Sequence, residues 1–186
     1  MTTTQLTLNL ATGLLDPVIY RPSPHVNERP INTPIDMIVI HGISLPPGQF
    51  GFHAIEDFFC GQLDCSSHPS FSDIAHLRVS SHLLVKRDGQ IIQFVPFNQR
   101  AWHAGESQFQ GKVGCNDFSI GIELEGTDDI AYEAIQYKKL IAIVLLLMQN
   151  YPNISKDRVV GHVDIAPGRK TDPGHAFDWD LLRRHI

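Results

Sequence analysis

Met37-Ile38-Val39-Ile40 is an unbroken apolar run that stops at His41-Gly42. A run this short and this apolar reads as a strand buried on both faces, the kind that lies inside a layered sheet. A second strand is expected over residues 119–125, where Ile120, Ile122 and Leu124 alternate with Ser119, Gly121, Glu123 and Glu125. One face is apolar and the other small or acidic, as in a strand set between a core and a cavity. Residues 80–86 and 90–95 flank Arg87-Asp88-Gly89, and Asp-Gly supplies the positive φ angles of a hairpin turn. The clearest helix spans about 132–150, with Tyr137, Leu140, Ile141, Val144, Leu145 and Met148 at helical spacing. Pro152 ends it, because the ring and the missing N–H cannot continue the ladder. Shorter signals place a helix near 53–59, a brief strand at Val159-Val160 and a last helix near 177–184. Together these predict an α/β (α+β) fold, a mixed central β-sheet flanked by helices.

The chain of 186 residues is long enough for one domain with a proper core and short for two. The expectation is a single domain over 1–186 with an irregular N-terminal arm over about 1–34, where Pro17, Pro22, Pro24, Pro30 and Pro34 interrupt any periodicity. Hydrophobic residues make up 42% and charged residues 19%, which excludes disordered and fibrous classes. A net charge of -5 argues against a general nucleic-acid binder. The longest apolar run, 140–148, falls far short of the roughly 20 residues of a membrane span. Near the N-terminus the first basic residue is Arg21, and Leu8, Leu10, Leu14 and Leu15 are too scattered for a secretory h-region. Cys60, Cys65 and Cys115 form no paired framework, and Cys60-x4-Cys65 lacks the second half of a zinc clip. These features predict a cytoplasmic protein with reduced, incidental thiols and no membrane or nucleic-acid partner.

Among the histidines, His25, His53, His68 and His185 fall in segments read as surface, and His82 in mid-strand reads as structural. His41 and His162 stand at strand ends, and Asp172 opens the Asp172-Pro173-Gly174 turn. Two imidazoles and a carboxylate are the donor set of a catalytic zinc site that keeps a fourth position for water. Spacing alone does not single them out, since a packed histidine and an ordinary Asp-Pro-Gly turn fit as well. Glu123, between Ile122 and Leu124, is placed either as a desolvated general base or as a solvent-facing glutamate of an edge strand. Lys170, two residues before Asp172, is placed to neutralise an oxyanion or to lie in water as a loop lysine.

Several strings then occur together and in order: Val39-Ile40-His41, the 75–80 segment Ala-His-Leu-Arg-Val-Ser, Trp102-His103-Ala104-Gly105, the 116–126 segment, and Gly161-His162 through Gly174. Over about residues 20–180 the chain closely resembles the AmpD family of 1,6-anhydro-N-acetylmuramyl-L-alanine amidases of bacterial cell-wall recycling. More distantly it is similar to the type 2 amidase and peptidoglycan-recognition fold. The resemblance implies one catalytic Zn2+ on His41, His162 and Asp172, with Glu123 handling the water proton and Lys170 assisting at the reacting centre. It implies a small anhydromuramyl-peptide substrate, cut between N-acetylmuramic acid and L-alanine, and no obligate protein partner. Arg78 falls in the family's groove motif as a clamp for a stem-peptide carboxylate. Trp102 and His103 would line the sugar or peptide side, although Trp102 fits a core position equally well.

The chain departs from the family pattern at two places. Gly114 stands just before Cys115 where close relatives carry an arginine, which leaves Lys112 to take over its grip as a point charge. Gly42 follows the first ligand where relatives carry a polar side chain, which removes one substrate hydrogen bond. The rival readings are a non-catalytic peptidoglycan-binding module, which this fold also serves, and a zinc peptidase. Such modules usually lose a zinc ligand, and here both histidines and the aspartate are present.

Overall fold

The computed structural model of the chain describes residues 5–186. Residues 1–4 of the expected arm lie outside them. In chain order come β1 (Thr7–Asn9) and β2 (Leu14–Asp16), which pair antiparallel, then β3 (Ile19–Tyr20) and β4 (Val26–Glu28). The apolar run forms β5 (Met37–Ile43), followed by α1 (Ala54–Phe59). The hairpin is β6 (Leu83–Val85) and β7 (Ile91–Gln93), closed by Gly89 at φ 84°. Next, β8 (Gln99–Ala101) pairs with β4, and β9 (Gln108–Phe109) with β10 (Lys112–Val113). Last come β11 (Ser119–Glu125), α2 (Ala134–Asn150), β12 (Val159–Gly161), α3 (His162–Ile165) and α4 (Trp179–His185).

Six strands form the main sheet in the order β12-β5-β11-β6-β7-β3. β12, β5, β11 and β6 run parallel, and β7 returns antiparallel to β6. The sheet is mixed and carries helices on its faces, as the sequence predicts. Side chains alternate along a strand, so the central strands bury both faces in different company. On one face Ile38, Ile40, Ile120, Ile122 and Leu124 pack with Tyr137, Leu140, Val144 and Leu147 of α2. The opposite face holds two smaller clusters. Met37 and Val39 meet Cys115, Phe118 and Ile165, while Leu84 and Ile92 meet Ile55, Phe58 and Phe59 of α1. His41 pairs in register with Glu123, and Glu123 with Leu84, so both polar side chains project from this second face.

The structure differs from the sequence expectation in three ways. β5 does not stop at Ile40 but runs on to Ile43, because β11 pairs with it along its whole length. The expected irregular arm is laid out as short strands, with β3 on the edge of the main sheet. Arg29 anchors that arm. Its half-buried guanidinium donates to the carbonyls of Phe97, Asn116, Asp117 and Ser119. Finally, α2 buries Gln136, Tyr137, Leu140, Ile143, Val144 and Leu147, leaving Leu145 45% exposed. Residues 140–148 are apolar nearly all round the helix, so periodicity alone offered two stripes and the sheet chose one.

Among the described residues, no helix is long and apolar enough to cross a membrane.

Candidate active site

The C-terminal halves of β5 and β11 and the β12–α3 junction meet at one end of the sheet. His41, inside β5, is held by ladder pairing with Glu123 of β11, one residue beyond the last β12 partner, and it is 2% exposed. His162 is the first residue of α3, directly after β12, and is buried. Asp172 is brought back by the loop after α3, where the Val163 amide donates to the Asp172 carbonyl at 3.0 Å. His41 Nδ1 lies 3.0 Å from His162 Nδ1, and each of these nitrogens lies 3.1 Å from Asp172 Oδ2.

Three ligand atoms on a triangle of this size fit a tetrahedral metal. Bonds of about 2.0–2.1 Å to nitrogen and oxygen give edges of roughly 3.3 Å. The far side of each histidine is also occupied: His41 Nε2 lies 2.9 Å from His103 Nδ1, and His162 Nε2 donates to the Ala104 carbonyl at 3.1 Å. Metal-binding histidines typically use their second nitrogen in this way. Among the described residues this is the one group of three such side chains placed to hold a metal ion. Cys60, Cys65 and Cys115 are free and take no part in it.

Electrostatics sharpen the site. Burial pushes His41 down to about 4, with His162 and Lys170 adding to the shift and Asp172 opposing it. Burial would raise Asp172, but His162 and His41 outweigh it and hold the carboxyl below the usual range. Glu123 is held well above the ordinary carboxyl value, first by burial and then by Asp172, with Lys170 pulling the other way.

All the candidate residues line one open cleft of about 460 Å³: His41, Glu123, His162, Lys170 and Asp172, together with Arg78, Trp102 and His103. That volume is in the range of small-molecule sites. Arg78 is exposed at the rim. Trp102 is half-buried in the wall with the Arg100 guanidinium 4.2 Å over its ring, so it is not a core tryptophan. His103 is buried, and both ring nitrogens are engaged with protein, Nδ1 with His41 and Nε2 with Ser119 Oγ at 3.1 Å. It lines the cleft, as the sequence predicts, but with both ring nitrogens already spent on protein partners. Lys112 does not take over an arginine's grip either. Its ammonium sits 3.7 Å over the Phe118 ring and 3.8 Å from Asp36, outside the cleft. Gly114 has φ 73°, a conformation that favours glycine over any side chain.

Sequence reasoning missed two neighbours of the site. Arg169 donates to the carbonyls of Ala104 and Glu106 and so ties the Lys170 loop to the 104–106 segment. Tyr132 donates through its hydroxyl to the Pro173 carbonyl at 2.9 Å, next to Asp172. Neither carries a local signal, because both act across long sequence separations.

Residues 31–175 match the family model described as N-acetylmuramoyl-L-alanine amidase. The chain is 57% identical over 162 residues to the 1,6-anhydro-N-acetylmuramyl-L-alanine amidase AmpD of Escherichia coli K12, covering 87% of this chain and 88% of that one. A crystal structure of a selenomethionine AmpD derivative superposes with a TM-score of 0.93 at 51% identity, covering 96% of this chain and 98% of the other. The amidase AmiD from E. coli, solved with anhydro-N-acetylmuramic acid-L-Ala-D-γ-Glu-L-Lys, superposes at 0.60 with 32% identity, over 86% of this chain and 60% of that one.

Proposed function

Because the chain belongs to the N-acetylmuramoyl-L-alanine amidase family, we propose that it hydrolyses the amide between 1,6-anhydro-N-acetylmuramic acid and the L-alanine of the stem peptide, in peptidoglycan recycling. One observation carries this reading. The His41–His162–Asp172 triangle opens into the same cleft as Glu123, which stands beside His41 on the neighbouring strand with its carboxyl held well above the ordinary range.

His41 Nδ1, His162 Nδ1 and Asp172 Oδ2 would hold one zinc ion. When bound there, zinc supplies Lewis-acid polarisation and makes water acidic near neutral pH. Glu123 takes the proton of the attacking water and returns it to the departing alanine amine. A raised pKa suits both halves of that task. Lys170, on the cleft wall, carries the positive charge that stabilises the oxyanion of the tetrahedral intermediate. Arg78 at the rim offers a bidentate fork to a carboxylate of the stem peptide, and Trp102 a flat apolar surface. The ligand for this cleft is thus a small anhydromuramyl peptide, the class of molecule bound by the AmiD relative.

We further propose that the described residues act as one amidase domain that includes the stretch up to about residue 34, since Arg29 and β3 tie it to the sheet. The free cysteines, Cys65 among them exposed, suit a reducing cytoplasm.

The test is to incubate the purified protein with an anhydromuropeptide and follow free stem peptide by mass spectrometry, with and without a chelator. Stem-peptide release that chelation abolishes is the expected result. Binding without cleavage would make the chain a peptidoglycan-binding module, and internal peptide fragments would make it a peptidase.

A further inference from the structure

We propose that His103 is a positioning residue of the metal centre, which, with the adjoining Ala104 carbonyl, fixes the tautomers of both histidine ligands. The inference rests on reading His41, His162 and Asp172 as that centre, and it gives the ring nitrogens of His103 a role apart from the lining of the cleft.

The direction of each hydrogen bond follows from the far end of a chain. The Cys115 carbonyl can only accept, and the Ser119 hydroxyl donates to it at 2.6 Å. The single hydroxyl proton is thereby used, so Ser119 Oγ accepts from His103 Nε2–H at 3.1 Å. With its proton on Nε2, the neutral His103 ring has a bare Nδ1, which accepts from His41 Nε2–H at 2.9 Å. His41 is then left with a lone pair on Nδ1, the atom that faces His162 and Asp172. The other ligand obeys the same logic in one step. His162 Nε2–H donates to the Ala104 carbonyl, leaving Nδ1 as its metal-facing atom.

The backbone that carries these partners is itself pinned. The Asn116 side-chain oxygen accepts from the amides of both His103 and Ala104, at 3.0 and 2.8 Å. An independent feature of the sheet points the same way. Gly121 stands in the middle of buried β11, where glycine weakens a strand. A Cβ there would fall 2.4 Å from His103 Cγ. Only a bare backbone lets the imidazole lie against the strand within reach of both His41 and Ser119.

Zinc affinity of the metal-free protein, measured by competition with a chromophoric chelator, tests the inference, together with the visible spectrum of the cobalt-loaded protein. His103→Ala is expected to weaken zinc binding by about 10- to 100-fold and to change the cobalt spectrum. His103→Asn, whose amide oxygen can stand in for Nδ1, should recover part of that loss. Ser119→Ala should weaken binding by a smaller factor, by freeing His103 to change tautomer. A folded His103→Ala with wild-type affinity and spectrum overturns the proposal, as does an effect confined to KM. An asparagine variant as weak as the alanine one counts against the acceptor role. If His103→Ala fails to fold, Ser119→Ala decides: weaker binding supports the relay, and unchanged binding overturns it. A wild-type protein that binds no zinc sinks the proposed metal centre as well, so the two failures are distinguishable.

Discussion

The Tyr132 hydroxyl occupies the space that a side chain on Gly42 would need, since a Cβ at Gly42 would lie 2.3 Å from it. The same hydroxyl donates to the Pro173 carbonyl at 2.9 Å. Gly42 follows the ligand His41 and Pro173 follows the ligand Asp172, so one buried phenol braces the two ligand-bearing segments against each other. The absence of a polar side chain at 42 is therefore matched by this packing.

Gly42→Ala should force the phenol aside and destabilise the protein by about 1–3 kcal/mol, the usual cost of overpacking. Tyr132→Phe should cost about 1 kcal/mol for the lost hydrogen bond. The two changes should not add, because removing the hydroxyl also removes the clash. Urea unfolding of both single variants and the double variant reads the coupling directly. Additive costs would show that the contact does not govern position 42.

Glu123→Gln keeps the shape of the side chain and removes its ability to take a proton. Turnover should fall by roughly 10²–10⁴-fold, the range for loss of a general acid–base. Zinc content by metal analysis should stay at the wild-type level, because Glu123 is not one of the ligand triangle. A variant with near-normal turnover removes Glu123 from the mechanism.

The pH dependence follows from the same residue. Burial, reinforced by Asp172, lifts the Glu123 carboxyl, while Lys170 lowers it. The base is the ionised form, so kcat/KM should rise with pH through a limb above the ordinary glutamate value of 4.5 and then level off. Lys170→Met removes the cation that favours ionisation, so the limb should move to higher pH while the rate falls. A limb that stays fixed or moves to lower pH contradicts this coupling.

Removing the metal should cost stability as well as activity. A ligand that binds only the native state adds about 2.7 kcal/mol at a hundred times its Kd. For a chain of this size each kcal/mol shifts Tm by roughly 2–4 °C. Calorimetry of the chelated protein should therefore show a lower Tm that zinc restores, and Asp172→Asn should blunt the restoration.

Much of the site was legible because its residues sit where strands end or alternate. The 37–40 run and the 119–125 alternation placed His41 and Glu123 on strands, and the Asp172-Pro173-Gly174 turn marked the third ligand. Their meeting was not legible from spacing, because the pairing of His41 with Glu123 joins strands far apart in the chain. The resemblance to a family supplied that step. His103 shows the complementary failure. A histidine beside a tryptophan in a groove motif suggests a ligand contact, and only the Ser119 and His41 partners reveal where its nitrogens are spent. One signal was present in the sequence, a glycine inside a strand, which marks close approach of another group.

The helix α2 gives a final case in which the sequence offered two answers and packing selected one. The spacing predicts Leu145 and not Leu147 on the buried stripe, yet Leu147 is fully buried and Leu145 is 45% exposed. The sheet face formed by Ile38, Ile40, Ile120 and Ile122 meets the side of the helix that carries Leu140, Val144 and Leu147. Leu147→Ala should therefore destabilise by about 2–5 kcal/mol, through lost burial and the cavity left behind. Leu145→Ala should stay within about 0.5 kcal/mol of the parent, as exposed substitutions do. Denaturant unfolding of the two variants separates the stripes, and equal costs at both positions would mean that α2 is rotated from the orientation described.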